Sequence, residues 1–175
     1  MNTKIFAMLV PFLLSAACVE KGSSGETKTV ADLSSYKTCA IEFDENGMTN
    51  GAKHKPLVIA EVRSSLANHH VCEAKDEGAD LTLKIKGKLD EVKEFGMGGA
   101  GLAGKDYEAV FEVELYDTKA QKTVGAFTAK GNTKEDTGIK MGGVDARTMA
   151  GDKDQTALKR AADQVGTFMA TKRKG

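Results

Sequence analysis

Leu81-Thr82-Leu83-Lys84-Ile85-Lys86-Gly87-Lys88-Leu89 places an apolar residue at nearly every second position and lysine or threonine between. Further on, Tyr107, Ala109, Phe111, Val113 and Leu115 alternate with Glu108, Glu112 and Glu114. Side chains on a strand point to opposite faces in turn, so period two over this length predicts two strands, each with one apolar and one polar face. The polar faces carry opposite charge. Antiparallel pairing would bring Lys84, Lys86 and Lys88 beside Glu112 and Glu114, each such pair being worth roughly 0.2–1 kcal/mol.

Outward from this core the pattern continues. The turn over 118–122 leads to a third strand over about 123–130, then a polar loop to residue 153. Ala157, Leu158, Ala161, Ala162, Val165, Phe168 and Met169 share one face of a helix over 154–171. Asp152-Lys153-Asp154-Gln155 reads as its cap, since a calcium loop would need the glycine and closing glutamate that are missing. Upstream, residues 36–43 form a strand with Cys39, Ile41 and Phe43 on one face, followed by turn residues at 44–47. Ile59, Val62 and Leu66 predict a helix over 55–68, with Pro56 at its first position. Residues 69–74 form a short strand. The expected fold is α+β: a mixed, mainly antiparallel five-stranded sheet with two helices on one face. Its order is strand, helix, four strands, helix, the first two strands being parallel across the helix.

Between the two alternating strands runs Gly96-Met97-Gly98-Gly99-Ala100-Gly101-Leu102-Ala103-Gly104. Residues 99–104 fit G-x-G-x-x-G, and 99–105 nearly fit a P-loop, with Asp106 where serine or threonine belongs. Both motifs seat a phosphate on a helix N-terminus. Here a strand follows, so the run predicts a hairpin connection with no nucleotide cofactor. Gly96, Met97, Gly98, Gly99 and Leu102 make it a candidate contact with a partner or with lipid. His69, His70, Cys72 and Glu73 hold metal-capable atoms close together, but without the stricter spacing of zinc sites, and His54 lies elsewhere. The expectation is a helix-to-strand turn and no metal. No catalytic triad is legible, so no catalytic residues are assigned.

The N-terminus has a different character. Met1 to Lys4 carries one positive side chain, Ile5 to Ala17 carries no charge, and the run ends in Ser15, Ala16 and Ala17. That order is the signal-peptide pattern, and the apolar stretch is too short to span a bilayer, which takes about 20 residues. Residues 19–29, VEKGSSGETKT, are polar with no apolar period and read as a flexible tether. The expected organisation is a signal peptide over 1–17, an anchor and tether over 18–29, and one domain over 30–175. The chain has 25 basic and 25 acidic side chains, with no basic excess to suggest nucleic acid. It lacks tryptophan, so large stacking platforms for bases or sugars are not expected. An exported chain can bond Cys39 to Cys72, or leave both as small buried thiols.

Leu14-Ser15-Ala16-Ala17-Cys18 resembles the lipobox of bacterial lipoproteins, with Ser15 where leucine is usual and Leu14 one place earlier. The resemblance implies that Cys18 becomes the N-terminal residue and takes acyl chains such as palmitate. Two or more chains make anchoring stable, at about 0.8 kcal/mol per buried CH₂. Gly78-Ala79-Asp80 through Leu89, the glycine run, and Ala109 through Thr118 resemble a lipoprotein family classed as a domain of unknown function. Ala120-Gln121-Lys122 stands where that family's turn has Gly-Lys. The likeness covers roughly residues 33–169. It implies an α/β layout akin to lipoproteins of curli secretion and flagellar outer-membrane assembly, an envelope role, and no established activity. Val19 after the cysteine, where aspartate retains enteric lipoproteins in the inner membrane, implies an outer-membrane location facing the periplasm. The expected function is therefore a lipid-anchored binding or assembly module with an envelope protein partner or self-association. The competing expectation is a periplasmic enzyme, metal-dependent, built on the His69/His70 region.

Overall fold

The computed structural model describes residues 30–92, 106–133 and 152–173. The elements in chain order are β1 (Thr38–Asp44), α1 (Gly51–Asn68), β2 (Glu73–Ala74), β3 (Leu81–Val92), β4 (Asp106–Asp117), β5 (Lys122–Asn132) and α2 (Lys153–Thr171). The sheet order is β2-β1-β3-β4-β5. β1 pairs in parallel with both β2 and β3, and β3, β4 and β5 form an antiparallel meander. This is the expected α+β fold in the expected order.

The alternation explains why. Leu81, Leu83, Ile85 and Leu89 of β3 are buried, and their partners Leu115, Val113 and Ala109 of β4 are buried beside them. Phe127 and Ala129 of β5 continue the same face, and α2 covers it with Ala157, Leu158, Ala161, Ala162, Val165 and Met169. Val58, Val62 and Leu66 of α1 close the rest. Burying each large aliphatic or aromatic side chain is worth about 1.5–3 kcal/mol, and this one face supplies most of them. The opposite face is wet: Lys84 pairs with Glu114 and Lys86 with Glu112 in register, and Lys88 Nζ donates to Glu112 at 3.0 Å.

Packing is closest where glycine permits it. A Cβ at Gly131 of β5 would lie 2.2 Å from the Ala157 carbonyl of α2, and one at Gly166 of α2 would lie 2.2 Å from Ser65 Oγ of α1. Gly131 thereby carries β5 past residue 130 onto α2, so the strand is longer than its alternation alone suggests.

Two boundaries differ from expectation. Helix α1 begins at Gly51, about one turn before Pro56, because Asn50 takes a left-handed conformation (φ 56°) and its carbonyl accepts the His54 N–H at 3.2 Å. Pro56 therefore sits inside the helix, and the Ala52 carbonyl it leaves unpaired lies at an exposed residue open to water. The strand expected over 69–74 shrinks to Glu73–Ala74. His70 is also left-handed (φ 52°), and the His70 and Val71 N–H groups close back on the Ala67 and Leu66 carbonyls. This is a Schellman cap with histidine where glycine is usual, completed by buried Val71 against Leu66. The backbone of His69 and His70 is thus committed to ending α1. His70 and Cys72 do not share the face of a strand.

Candidate functional site

The strands give the molecule two ends. β3 starts, β4 finishes, β5 starts and α2 finishes at the end where Val30 enters. The stretches 93–105 and 134–151 both leave from the opposite end, because β3 stops there at Val92, β5 stops there at Asn132, and β4 and α2 begin there. Gly96, Met97, Gly98, Gly99 and Leu102 lie outside the described residues, as do Cys18 and the tether. The glycine run joins two antiparallel strands, and Val92 pairs with Asp106 at its base. The described element after it is β4, so among the described residues a strand, not a helix N-terminus, follows the run.

The feet of both long stretches are fastened together. Asp106, 1% exposed, accepts from Lys153 Nζ at 3.1 Å and from Thr133 Oγ1 at 3.3 Å. The same hydroxyl accepts the Tyr107 N–H at 2.9 Å, and the Thr133 N–H donates to the Tyr107 carbonyl at 3.1 Å. A buried carboxylate is tolerable only when paired and hydrogen-bonded, and this one is both. Alongside, buried His54 of α1 lies 3.5 Å from Asp154 at the start of α2. Asp152 is the N-cap residue of α2, but its carboxylate takes the Gln155 side-chain amide at 2.7 Å and makes no cap bond to the backbone.

At the Val30 end, Cys39 and Cys72 are joined by a disulfide, with Cα atoms 5.9 Å apart. It staples β1 to the residue preceding β2. Asp80 accepts from Lys119 Nζ at 2.7 Å, from Thr38 Oγ1 at 3.0 Å and weakly from the Lys37 N–H at 3.4 Å. The lysine, then the threonine hydroxyl, pull its carboxyl down to about 2. Asp117 accepts the Ala120 and Lys119 N–H groups and the Tyr36 hydroxyl, the last at 2.8 Å. The Ala120 amide leads in holding its carboxyl below the ordinary range. Burial, reinforced by Asp117, pushes the Tyr36 phenol up. Asp80 and Asp117 are turn-organising residues here.

The histidine cluster disperses. His69 Nε2 lies 3.3 Å from both Asp163 Oδ1 and Thr167 Oγ1 of α2, tying the two helices. The His70 carbonyl accepts Arg173 at 3.0 Å, Cys72 sulfur is in the disulfide, and Glu73 faces Lys75 at 3.9 Å. Among the described residues no group of three or more His, Cys, Asp or Glu is placed to hold a metal. None of their helices is long and apolar enough to cross a membrane. Nothing in the local pattern signals the Asp106–Lys153 pair, because the partners are 47 residues apart and neither breaks that pattern.

No family model matches the chain, and no curated protein matches it. Solved structures resemble it to different degrees. PelC from Paraburkholderia phytofirmans, crystallised as a dodecamer, aligns with TM-score 0.52 at 13% identity, over 82% of this chain and 97% of that one. Protein XCC0632 from Xanthomonas campestris, of family DUF330, gives TM-score 0.48 at 10% identity, over 82% of this chain and 91% of that one. A putative lipoprotein from Caulobacter crescentus gives 0.42 at 16% identity, over 75% and 88%. The likeness to PelC is one of fold.

Proposed function

We propose that this chain is an exported lipoprotein, anchored through acylated Cys18 in the outer membrane and facing the periplasm, that works as an assembly module by associating with copies of itself. The carrying observation is the Cys39–Cys72 disulfide inside the fold. Such bonds persist in oxidising compartments and are rare in the cytosol. It is independent of the N-terminal sequence and agrees with it: a basic start, an apolar run, and Ala17 before Cys18. Self-association draws support from the fold shared with PelC, a protein that forms a dodecamer. The reading of a metal-dependent enzyme at His69 and His70 finds little support, since those residues cap α1 and tie it to α2.

Cys18→Ser tests the anchor. The protein should move from the membrane to the soluble periplasmic fraction, and the wild-type N-terminal peptide should carry acyl mass that the variant lacks. A wild-type mature N-terminus without acyl mass overturns the lipid reading. Light scattering on the detergent-solubilised wild type tests the rest, a strictly monomeric mass counting against self-assembly.

A further inference from the structure

Asn46-Gly47-Met48-Thr49-Asn50-Gly51 holds the same dipeptide twice, between the end of β1 and the start of α1. Asparagine before glycine can react with its own chain. The glycine nitrogen attacks the side-chain amide carbon Cγ, and no Cβ on the glycine hinders its approach. Two conditions decide whether this happens in a fold. The glycine N–H must be free of a hydrogen bond, and the asparagine ψ must be able to swing that nitrogen toward Cγ. The two steps differ in both respects.

At Asn46 both conditions are met. The Met48 N–H donates to the Glu45 carbonyl at 2.9 Å, which makes Asn46 and Gly47 the central residues of a turn. That turn does not use the Gly47 N–H, which has no partner among the described residues. The Asn46 N–H donates to Asp44 Oδ1 at 3.0 Å, on the φ side of the residue. Nothing among the described residues bonds the Asn46 carbonyl or its side-chain amide, so ψ and the side chain are free to turn. Asn46 and Gly47 are both exposed.

At Asn50 neither is met. The Gly51 N–H donates to the Met48 carbonyl at 3.2 Å. The Asn50 carbonyl accepts the Lys53 N–H at 3.0 Å and the His54 N–H at 3.2 Å, so rotating ψ there would unfasten the first turn of α1. Gly51 is buried, and a Cβ on it would lie 2.5 Å from the Glu45 carbonyl, which leaves its backbone no room to shift.

We propose that Asn46 is a site of spontaneous deamidation and isomerisation, and that the fold protects Asn50 in the same dipeptide. In the first step the Gly47 nitrogen gives up its proton and bonds to Asn46 Cγ, and the side-chain nitrogen leaves as ammonia. The product is a five-membered succinimide. Water then opens the ring at either carbonyl, giving aspartate or its isomer, in which the backbone runs through the side-chain carbon. Water is the only co-reactant.

Both products place a new carboxylate beside Asp44 and Glu45, where Lys55 Nζ already pairs with Glu45 at 2.9 Å. The isomer also lengthens the backbone of the turn by one carbon. That turn delivers Met48, 8% exposed, to the core, where it bridges to Leu89 of β3. The isomerised chain should therefore lose the Glu45–Met48 turn bond and loosen Met48.

Peptide mapping by mass spectrometry tests this on the full mature chain, aged folded at mildly alkaline pH and, in parallel, unfolded in guanidinium. The readout is the amide-to-acid mass gain at each asparagine, with the isomer told from aspartate by its backbone fragments. Unfolded, the two sites should convert at similar rates. Folded, Asn46 should keep a rate close to the unfolded one, and Asn50 should be at least about tenfold slower, because its reaction waits for the start of α1 to open. Hydrogen exchange of the separated isomer should then show the Met48 amide less protected than in the fresh protein, with β4 unchanged. Equal folded rates at the two sites overturn the proposal, as does an Asn46 that converts only when the chain is unfolded.

Discussion

Where Val30 enters, restraints are many and mostly modest: a disulfide, the shared bonds of Asp80 with Thr38 and Lys119, the turn around Asp117, and the Tyr36 hydroxyl. At the far end, where two long stretches leave and return, one carboxylate, Asp106, gathers Lys153 and Thr133 about itself in a buried position. The first end is redundant and partly solvated, so most single losses there have neighbours to absorb them. The second is concentrated and dry, so it should respond sharply to a single change, and to which partner of the pair is removed. The redundant end has one component without substitute, the covalent bond. Breaking each feature in turn tests whether redundancy or concentration governs stability.

The largest effect belongs to the disulfide. Its cysteines are 33 residues apart, and closing a loop of that length in the unfolded chain is worth about 3–4 kcal/mol in the chain-entropy model. Cys72→Ser should lower unfolding stability by about that amount in denaturant titrations, and dithiothreitol should do the same to the wild type but not to the variant. The second edge of the sheet should loosen with it, because β2 is held to β1 by only a two-residue ladder.

At the far end the order of two variants matters more than either value. Lys153→Ala leaves the Asp106 carboxylate buried with, among the described residues, the Thr133 hydroxyl as its side-chain partner, whereas Asp106→Asn leaves Lys153, 29% exposed, free to turn to water. Stranding a buried charge costs about 3–5 kcal/mol in full burial; partial access of water to the lysine site brings the expectation for Lys153→Ala to ~2 kcal/mol. Asp106→Asn should cost less. The reverse order, measured in the same denaturant series, would show that the carboxylate is better solvated than its burial implies.

Much of this comparison was hidden in the sequence while the fold was not. Period two in residues 81–89 and 107–115 fixed the phase of the central strands, and the Lys/Glu faces followed, so the meander and the helix placement were legible; that β1 lies between β2 and β3 was not. The boundaries that failed were decided by single backbone conformations, at Asn50 and His70, taken by residues other than glycine. The close crossing at Gly166 and Ser65, and the pair of Asp106 with Lys153, join residues 101 and 47 positions apart by number, and no local pattern encodes either. The proposed contact residues Gly96 to Gly99 and Leu102 lie outside the described chain; only the fastening at their base is in view.

The smallest expected effect is electrostatic and belongs to the redundant end. Asp80 has its carboxyl lowered to about 2, with the Lys119 hydrogen bond the largest cause and the Thr38 hydroxyl the next. The unfolded chain titrates this group near the ordinary aspartate value, about 3.9. Because the folded value is the lower one, the folded state holds fewer protons in between. The contribution of Asp80 is therefore complete above the ordinary value and is lost as pH falls from about 4 toward 2. Its size at neutral pH should be small, since the Lys119 side chain is 83% exposed and an exposed pair is screened by solvent and salt. Asp80→Asn should thus flatten the fall of melting temperature between pH 4 and pH 2 while changing it little at pH 7. Lys119→Met should act more gently, raising the carboxyl titration of Asp80 followed by NMR while Thr38 still holds it below the ordinary value. If Lys119→Met returned that titration fully to the ordinary range, the lysine alone would hold the group, and this end would depend on a single restraint as the far end does.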